Sequence, residues 1–285
     1  MHIPVLKEKV LEYLNPQPNQ NFIDCTAGGG GHATAILERI APKGKVLAID
    51  WDREAISRLR ATSRLVPREG NFAEVKEIAN REKFLPVHGV LFDLGLSTTQ
   101  LEESKRGFSF QLLEPLDMRY NAQQPVTAEK ILNYSSKAEL ERILKEYGEE
   151  QFAGKIAQAI VQARAQKHIE ETSQLVEIIE EATPRWYHRK RIHPATKTFQ
   201  ALRIATNNEL ENLERGLQGA TELIVSSGKI AVISFHSLED RIVKNFFKQE
   251  PSLKPFTKKP TVPTNAEIKK NPRARSAKLR VAIKL

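Results

Sequence analysis

The 285-residue sequence holds a single cysteine, Cys25. One thiol closes no intramolecular disulfide and builds no multi-cysteine zinc site, which points to a reducing, cytoplasmic compartment. Long apolar runs are missing too. The strongest, VLFDLGL at 90–96, falls far short of the roughly 20 residues a membrane helix requires. No basic-then-apolar leader opens the chain, so a soluble intracellular protein with no membrane partner is expected. Neither an internal repeat nor a low-complexity block is present. The seven histidines form no metal-ligand spacing; His188 and His193 stand among arginines, a poor setting for a cation, so no required metal is expected. Apolar residues at 40% and charged residues at 28% exclude a disordered or collagen-like chain.

Charge is present but unevenly placed. Residues 251–285 hold ten Lys or Arg against one acid, Glu267, and so carry the whole net charge of +9. The first 250 residues are neutral. A second basic cluster, Arg185, Arg189, Lys190, Arg191 and Lys197, lies in a stretch from 182 to 208 without any acid. Such clusters suit a polyanion, although a solvated charged face is the commoner outcome.

Hydrophobic periodicity divides the chain. Strands are expected at 21–25, 45–50, 65–69 and 89–93, alternating with helices at about 33–40, 53–60 and 74–79. This order predicts a parallel sheet with helices on both faces. From about 109 to 195 the signals are helical. Ser136 and Glu139 suggest a capping box, and Phe152, Ile156, Ala159, Ile160 and Ala163 mark one helical face. Ser173 is the expected cap of a helix ended by Pro184. A further helical run, 197–223, has a possible break at Asn207–Asn208 and is stopped by Gly228. A strand at 229–234, a helix at 238–247 and a last strand at 279–285 complete the pattern. The expectation is a discontinuous α/β core, 1–108 and 196–285, with a helical insertion at 109–195 in a loop at the functional edge of the sheet.

Gly28 to Gly31 fall between the first strand and the first helix of this pattern. Glycines there allow a sharp turn and close backbone approach to a ligand, and the helix start offers free N–H groups. Asp50 ends the next strand, 22 residues after Gly28, where a carboxylate accepts hydrogen bonds from ribose hydroxyls. A nicotinamide or flavin cofactor and S-adenosylmethionine both fit these two features. Asp24 before the glycines and Asp93 at the end of the fourth strand lean toward the latter, because its ammonium and sulfonium are positive and it carries no phosphate.

Separated motifs along nearly the whole chain resemble the bacterial 16S ribosomal RNA (cytosine-N4) methyltransferase family. They are His2-Ile3-Pro4-Val5-Leu6, the glycine loop into His32, Phe92-Asp93-Leu94-Gly95-Leu96-Ser97 with Gln100-Leu101, and Arg106-Gly107-Phe108-Ser109-Phe110. Pro115-Leu116-Asp117-Met118-Arg119 and the run His193 to Arg203 follow. Ser234-Phe235-His236-Ser237-Leu238-Glu239-Asp240-Arg241 and Asn271-Pro272-Arg273-Ala274-Arg275-Ser276 come last. The resemblance implies a Rossmann-like methyltransferase sheet with a helical insertion domain, and S-adenosylmethionine as cofactor. It further implies an enzyme that methylates the N4 amine of a cytidine in the decoding region of small-subunit ribosomal RNA.

By the same resemblance, Gly30, Gly31, His32, Asp50, Phe72, Asp93 and Gln100 bind the cofactor, with Phe72 equally readable as an ordinary buried aromatic. Many amine-methylating enzymes place Asp/Asn-Pro-Pro-Tyr/Phe after the fourth strand. Here the position reads Asp93-Leu94-Gly95-Leu96, so Asp93 is the candidate to orient the target amine, or serves the cofactor alone. Cys25 reads as a buried strand residue rather than a nucleophile, and His236 as a structural histidine ahead of an RNA contact. Arg189, Arg191, Lys197, Arg203, Arg273 and Arg275 are the expected RNA contacts. Trp186 and Tyr187 either stack on unpaired bases or anchor the insertion. The expected partner is small-subunit rRNA in an assembled 30S particle, and a homodimer is compatible with the sequence. Competing readings are a methyltransferase acting on another amine and an assembly factor that binds RNA and cofactor without turnover.

Overall fold

The computed structural model describes residues 4–285, without the side chains of Thr98 and Thr99. His2 and Ile3 of the first motif lie outside the described residues. Seven strands form one sheet: β1 (Phe22–Asp24), β2 (Val46–Asp50), β3 (Leu65–Glu69), β4 (Val87–Asp93), β5 (Ile224–Ser234), β6 (Leu253–Pro255) and β7 (Lys278–Lys284). Their order is β3-β2-β1-β4-β5-β7-β6. β1 to β5 run parallel, while β7 is antiparallel to β5 and to β6. The expected α/β sheet is therefore present, extended by the short β6, which three residues ending in proline did not announce.

The helices are α1 (Lys7–Leu14), α2 (Gly31–Arg39), α3 (Arg53–Ser57), α4 (Val75–Arg81), α5 (Thr98–Glu102), α6 (Ala128–Tyr134) and α7 (Lys137–Glu146). They continue as α8 (Ala153–Gln166), α9 (Thr172–Ala182), α10 (Arg185–His188), α11 (Ala195–Asn207), α12 (Glu209–Leu223), α13 (Ser237–Gln249) and α14 (Asn265–Lys270). The chain divides into two compact units, residues 1–95 with 210–285, and residues 96–209.

In the sheet unit the central strands are apolar on both faces, as a doubly covered parallel sheet requires. On one side Ile23, Leu47, Ile49, Val90, Phe92 and Val232 pack with α4, α12 and α13. On the other, Phe22, Val46, Ala48, Leu91 and Ala231 pack with α1 and α2. The helical unit has its own core, in which Leu132, Leu140, Ile143, Ile156, Ile160, Leu175 and Ile179 are buried. Phe108 and, from α11, Phe199 and Leu202 belong to that core, so this unit extends beyond 109–195 at both ends.

Local expectations fare unequally. Ser136 accepts the Glu139 N–H at 3.1 Å, while the Glu139 carboxylate pairs with Arg142 at 2.7 Å rather than turning back to complete the expected box. Ser173 does not cap α9. Glu171 does, in a reciprocal box with Gln174, because the helix begins two residues earlier than expected, at Thr172. Asn208, left-handed at φ 55°, separates α11 from α12. Gly228 does not end that run either: α12 stops at Leu223, and β5 carries Gly228 within it beside left-handed Ser227. Of the predicted face of α8, Ile156 and Ile160 are buried with Ala153 and Ala157, whereas Ala159 stays partly exposed.

Candidate cofactor and methyl-transfer site

The sheet register sets the positions of three carboxylates. Asp24, at the end of β1, is paired with Ala48 on one side and Leu91 on the other. Asp50 and Asp93 therefore end β2 and β4 two residues further along, at the level of Thr26. This is the crevice between β1 and β4 where the strand order reverses, the position at which open α/β sheets collect ligands. The chain then turns through Gly28 (φ 49°) and Gly30 (φ 76°) into α2. Left-handed backbone of this kind is disfavoured for residues with a Cβ. At Gly30 a Cβ would also come within 2.6 Å of the Leu59 side chain, and at Gly31 within 2.4 Å of Pro4.

Side chains tie the turn to the strands. Asp50 accepts the Gly28 N–H through Oδ2 and the Asp52 N–H through Oδ1, both at 2.8 Å. Asp52 in turn caps α3 by accepting from Glu54 N at 3.1 Å. The Thr26 hydroxyl accepts the Asp93 N–H at 2.7 Å. Thr26 and Asp52 tie the glycine turn and strand ends together, a contribution that sequence reading missed. Each lies one or two residues from a recognised motif position, and only the strand register shows what it bonds.

His32, 6% exposed, comes within 3.4 Å of Asp93 Oδ2 through Nε2, an electrostatic contact at the edge of hydrogen-bonding range. Asp24 is 1% exposed; its Oδ1 accepts the Thr26 N–H at 3.2 Å, whereas Asp24 Oδ2 and Asp93 Oδ1 are buried with no hydrogen-bond partner. Burial raises the Asp24 carboxyl to about 6, although His32 and the Thr26 N–H oppose the rise. Burial likewise raises Asp50 to about 6, against its two amide hydrogen bonds. Burial works against a charged His32, but Asp93 and then Asp24 prevail and raise its pKa. Three carboxylates with two unspent oxygens in a partly desolvated crevice make a site short of positive charge. A ligand with a cationic centre and a hydroxylated ring fits that deficit.

These shifts carry a pH signature. A carboxyl raised in the fold stabilises the protein fully below its unfolded pKa, and that contribution is lost as pH rises through the folded value. The unliganded protein should therefore be more stable at about pH 5.5 than at about pH 7.5, by roughly 1–2 kcal/mol from Asp24 and Asp50 together. The raised His32 acts in the same direction. Thermal unfolding across this range checks it, and Asp24→Asn should remove about half of the slope. A stability that climbs with pH over this interval would contradict the carboxylate crevice.

The remaining predicted residues distribute as follows. Phe72 follows β3, partly exposed, with its ring edge-on to Phe92 at 5.6 Å. It packs against the sheet core while part of the ring stays open. Gln100 lies in the helical unit, where its Oε1 accepts the Ser97 N–H at 3.0 Å. Cys25 is buried, and burial followed by the Asp24 charge pushes its thiol well up, opposite to what a nucleophile needs. His236 caps α13 in a reciprocal box with Glu239, as a structural histidine does. Gly95 (φ 106°) stands where a clamp proline would, with space for a Cβ limited by Phe235 at 3.1 Å.

Of the predicted RNA contacts, Arg189, Arg191 and Arg275 are exposed and Arg273 is partly buried. Arg203 is committed elsewhere: it binds both oxygens of Glu209 at 2.8 Å, with its side chain only 14% exposed. Lys197 donates to the Glu149 carbonyl at 2.6 Å. Tyr187 is buried and donates to Glu150 at 2.7 Å, while Trp186 is 55% exposed.

Among the described residues no helix is long and apolar enough to cross a membrane. In structural comparison the chain is similar to the O-methyltransferase from Bacillus cereus, at TM-score 0.46 and 8% identity, over 100% of this chain and 83% of that one. Its sequence is 47% identical over 304 residues to the ribosomal RNA small subunit methyltransferase H of Thermomicrobium roseum, covering 99% of this chain and 93% of that protein. It is 44% identical over 309 residues to the protein of the same name from Symbiobacterium thermophilum, covering 100% and 96%. The family described as the MraW methylase family matches residues 1–285. With a match over its full length and relatives this similar, the chain belongs to the MraW methylase family and is a methyltransferase.

Proposed function

We propose that the protein transfers a methyl group from S-adenosylmethionine to the N4 amine of a cytidine in the decoding region of 16S ribosomal RNA. The observation that carries the reading is the crevice where Asp24, Asp50 and Asp93 end three adjacent strands around a left-handed glycine turn. The cofactor supplies an electrophilic methyl carbon on a sulfonium centre. Asp50 accepts ribose hydroxyls with the lone pairs its two amide bonds leave free, and Asp24 and Asp93 balance the positive charge. Phe72 flanks the adenine, while Gly30, Gly31, His32 and Gln100 complete the binding set. Asp93 accepts a hydrogen bond from the target amine and holds it in line with the transferring carbon; orientation of this kind supplies much of the acceleration.

A target cytosine within paired RNA has to leave its stack to reach Asp93. The helical unit is the RNA-recognition domain, acting with Arg189, Arg191, Arg273 and Arg275 on a small subunit already assembled as a 30S particle in the cytoplasm. A homodimer is compatible with this reading. Neutralising Arg273 and Arg275 together should weaken RNA binding and lower its salt slope by about 2, since each phosphate contact contributes about 0.9. An unchanged slope would assign both arginines to folding. Cofactor affinity should also fall as pH drops through about 6, where Asp24 and Asp50 take up protons.

The direct experiment is methyl transfer from labelled S-adenosylmethionine into small subunits that lack the modification, followed by nucleoside mass analysis. N4-methylcytidine supports the reading. A different methylated product moves it to another acceptor, and cofactor binding without product favours a non-catalytic assembly role.

A further inference from the structure

We propose that the helical unit carries a binding site for unpaired RNA, in which one base stacks on Trp186 and the neighbouring base enters the groove between α8 and α9. The proposal rests on RNA being the acceptor and adds where and in what form the helical unit grips it.

Three aromatic rings meet beside α10. Phe152 is edge-on to Trp186 at 5.7 Å and to Tyr187 at 5.0 Å, and Trp186 is edge-on to Tyr187 at 6.0 Å. Tyr187 is fixed by its hydrogen bond to Glu150 and is 6% exposed, yet Trp186 remains 55% exposed. An indole supported at its edges by two rings but open to solvent is a stacking platform that has already paid its ordering cost. The Lys190 ammonium lies over both rings, 5.1 Å from the Trp186 centroid and 4.8 Å from that of Tyr187, so a base would stack on the indole face away from it. Arg185, Arg189 and Arg191 are all exposed beside it, in the acid-free stretch. Phosphates flanking a base on Trp186 would meet this cationic strip.

The groove connects to these rings through Lys155. It has a volume of about 440 Å³ and is lined by Lys155, Gln158, Gln162 and Glu181, with Gly154 and Ala182 at its small-residue positions. The Lys155 ammonium sits 5.8 Å from the Phe152 ring, so Phe152 links the groove to Trp186. Gln158 and Gln162 stand one turn apart on α8, so both amides are directed to the same side. Lys155 and Glu181 oppose each other in charge, which makes the groove unsuited to a phosphate but suited to the mixed donor and acceptor edge of a base. Stacked duplex hides both the base face and that edge, so the site requires single-stranded RNA.

The test is fluorescence titration of the full-length protein with short unstructured RNA oligonucleotides at low salt, without any methyl donor. Binding should quench tryptophan emission, and the quench should disappear in Trp186→Phe, which retains Trp51, while affinity stays close to wild type. Trp186→Ala should bind about tenfold or more weakly, with an unchanged thermal midpoint because the side chain is largely exposed. An oligonucleotide of abasic sites should bind wild type and Trp186→Ala equally, and Gln158→Ala with Gln162→Ala should reduce discrimination among bases. The proposal is overturned if Trp186→Ala binds as wild type, if abasic or duplex RNA competes as well as single strands, or if no oligonucleotide binds. This outcome is separate from the acceptor chemistry, which the nucleoside analysis alone decides.

Discussion

Asp93→Ala is expected to reduce turnover by about 1,000-fold or more while changing cofactor affinity by less than about tenfold, within the range a positioned proton acceptor contributes. The expectation comes from how little freedom the side chain has. Its backbone N–H is held by Thr26 at 2.7 Å, and its strand is paired to β5 through Ile233. Its Oδ2 lies against His32 at 3.4 Å, whereas Oδ1 is buried and unused. A fixed carboxylate with one oxygen to spare at the ligand edge suits an amine that has to be oriented. Single-turnover rates on small subunits, read beside calorimetric cofactor binding, separate the two roles. Asp93→Asn keeps an acceptor oxygen and should retain more activity than the alanine variant. Full turnover in Asp93→Ala would remove this residue from the mechanism, and a loss seen only in cofactor affinity would make it a binding residue.

Asp50→Ala should weaken cofactor binding by about 100-fold, as expected when two hydrogen bonds to a charged group are lost. The carboxylate has two tasks. It holds the amides of Gly28 and Asp52 at 2.8 Å, and in the proposed function its remaining lone pairs accept from the ribose. Its removal therefore both releases the glycine turn and deletes the ribose acceptor. Asp50→Asn should fall between the two, because one oxygen remains. Stability and affinity should move in opposite directions in the asparagine variant, since burial already raises the Asp50 carboxyl to about 6 and a neutral amide avoids that cost at pH 7. Calorimetry with thermal unfolding reads both quantities. Unchanged affinity in Asp50→Ala would place the ribose elsewhere.

What could be read without coordinates was what depends on short stretches of chain. Apolar runs separated by turn residues announce β1 to β4, and a glycine run between strand and helix announces a ligand turn, because both signals lie within a few neighbouring residues. Asp50 and Asp93 could be named from the sequence for the same reason: each closes an apolar strand. β6 was hidden, since three residues ending in proline carry no periodicity, and its strand state depends on pairing with β7. Ser173 and Gly228 misled because a cap or stop residue acts only where the helix actually ends, and tertiary packing moved those ends. Arg203 read as an RNA contact from its motif and charge, but only the fold brings Glu209 within 2.8 Å to occupy it. Trp186 and Tyr187 are adjacent and chemically alike, yet Glu150 buries one and leaves the other open. The sheet class, the family resemblance and the carboxylates of the crevice were legible in the chain before folding was considered. Which charges are used inside the protein and which remain for a ligand followed only from the fold, because that depends on which partners it brings within reach.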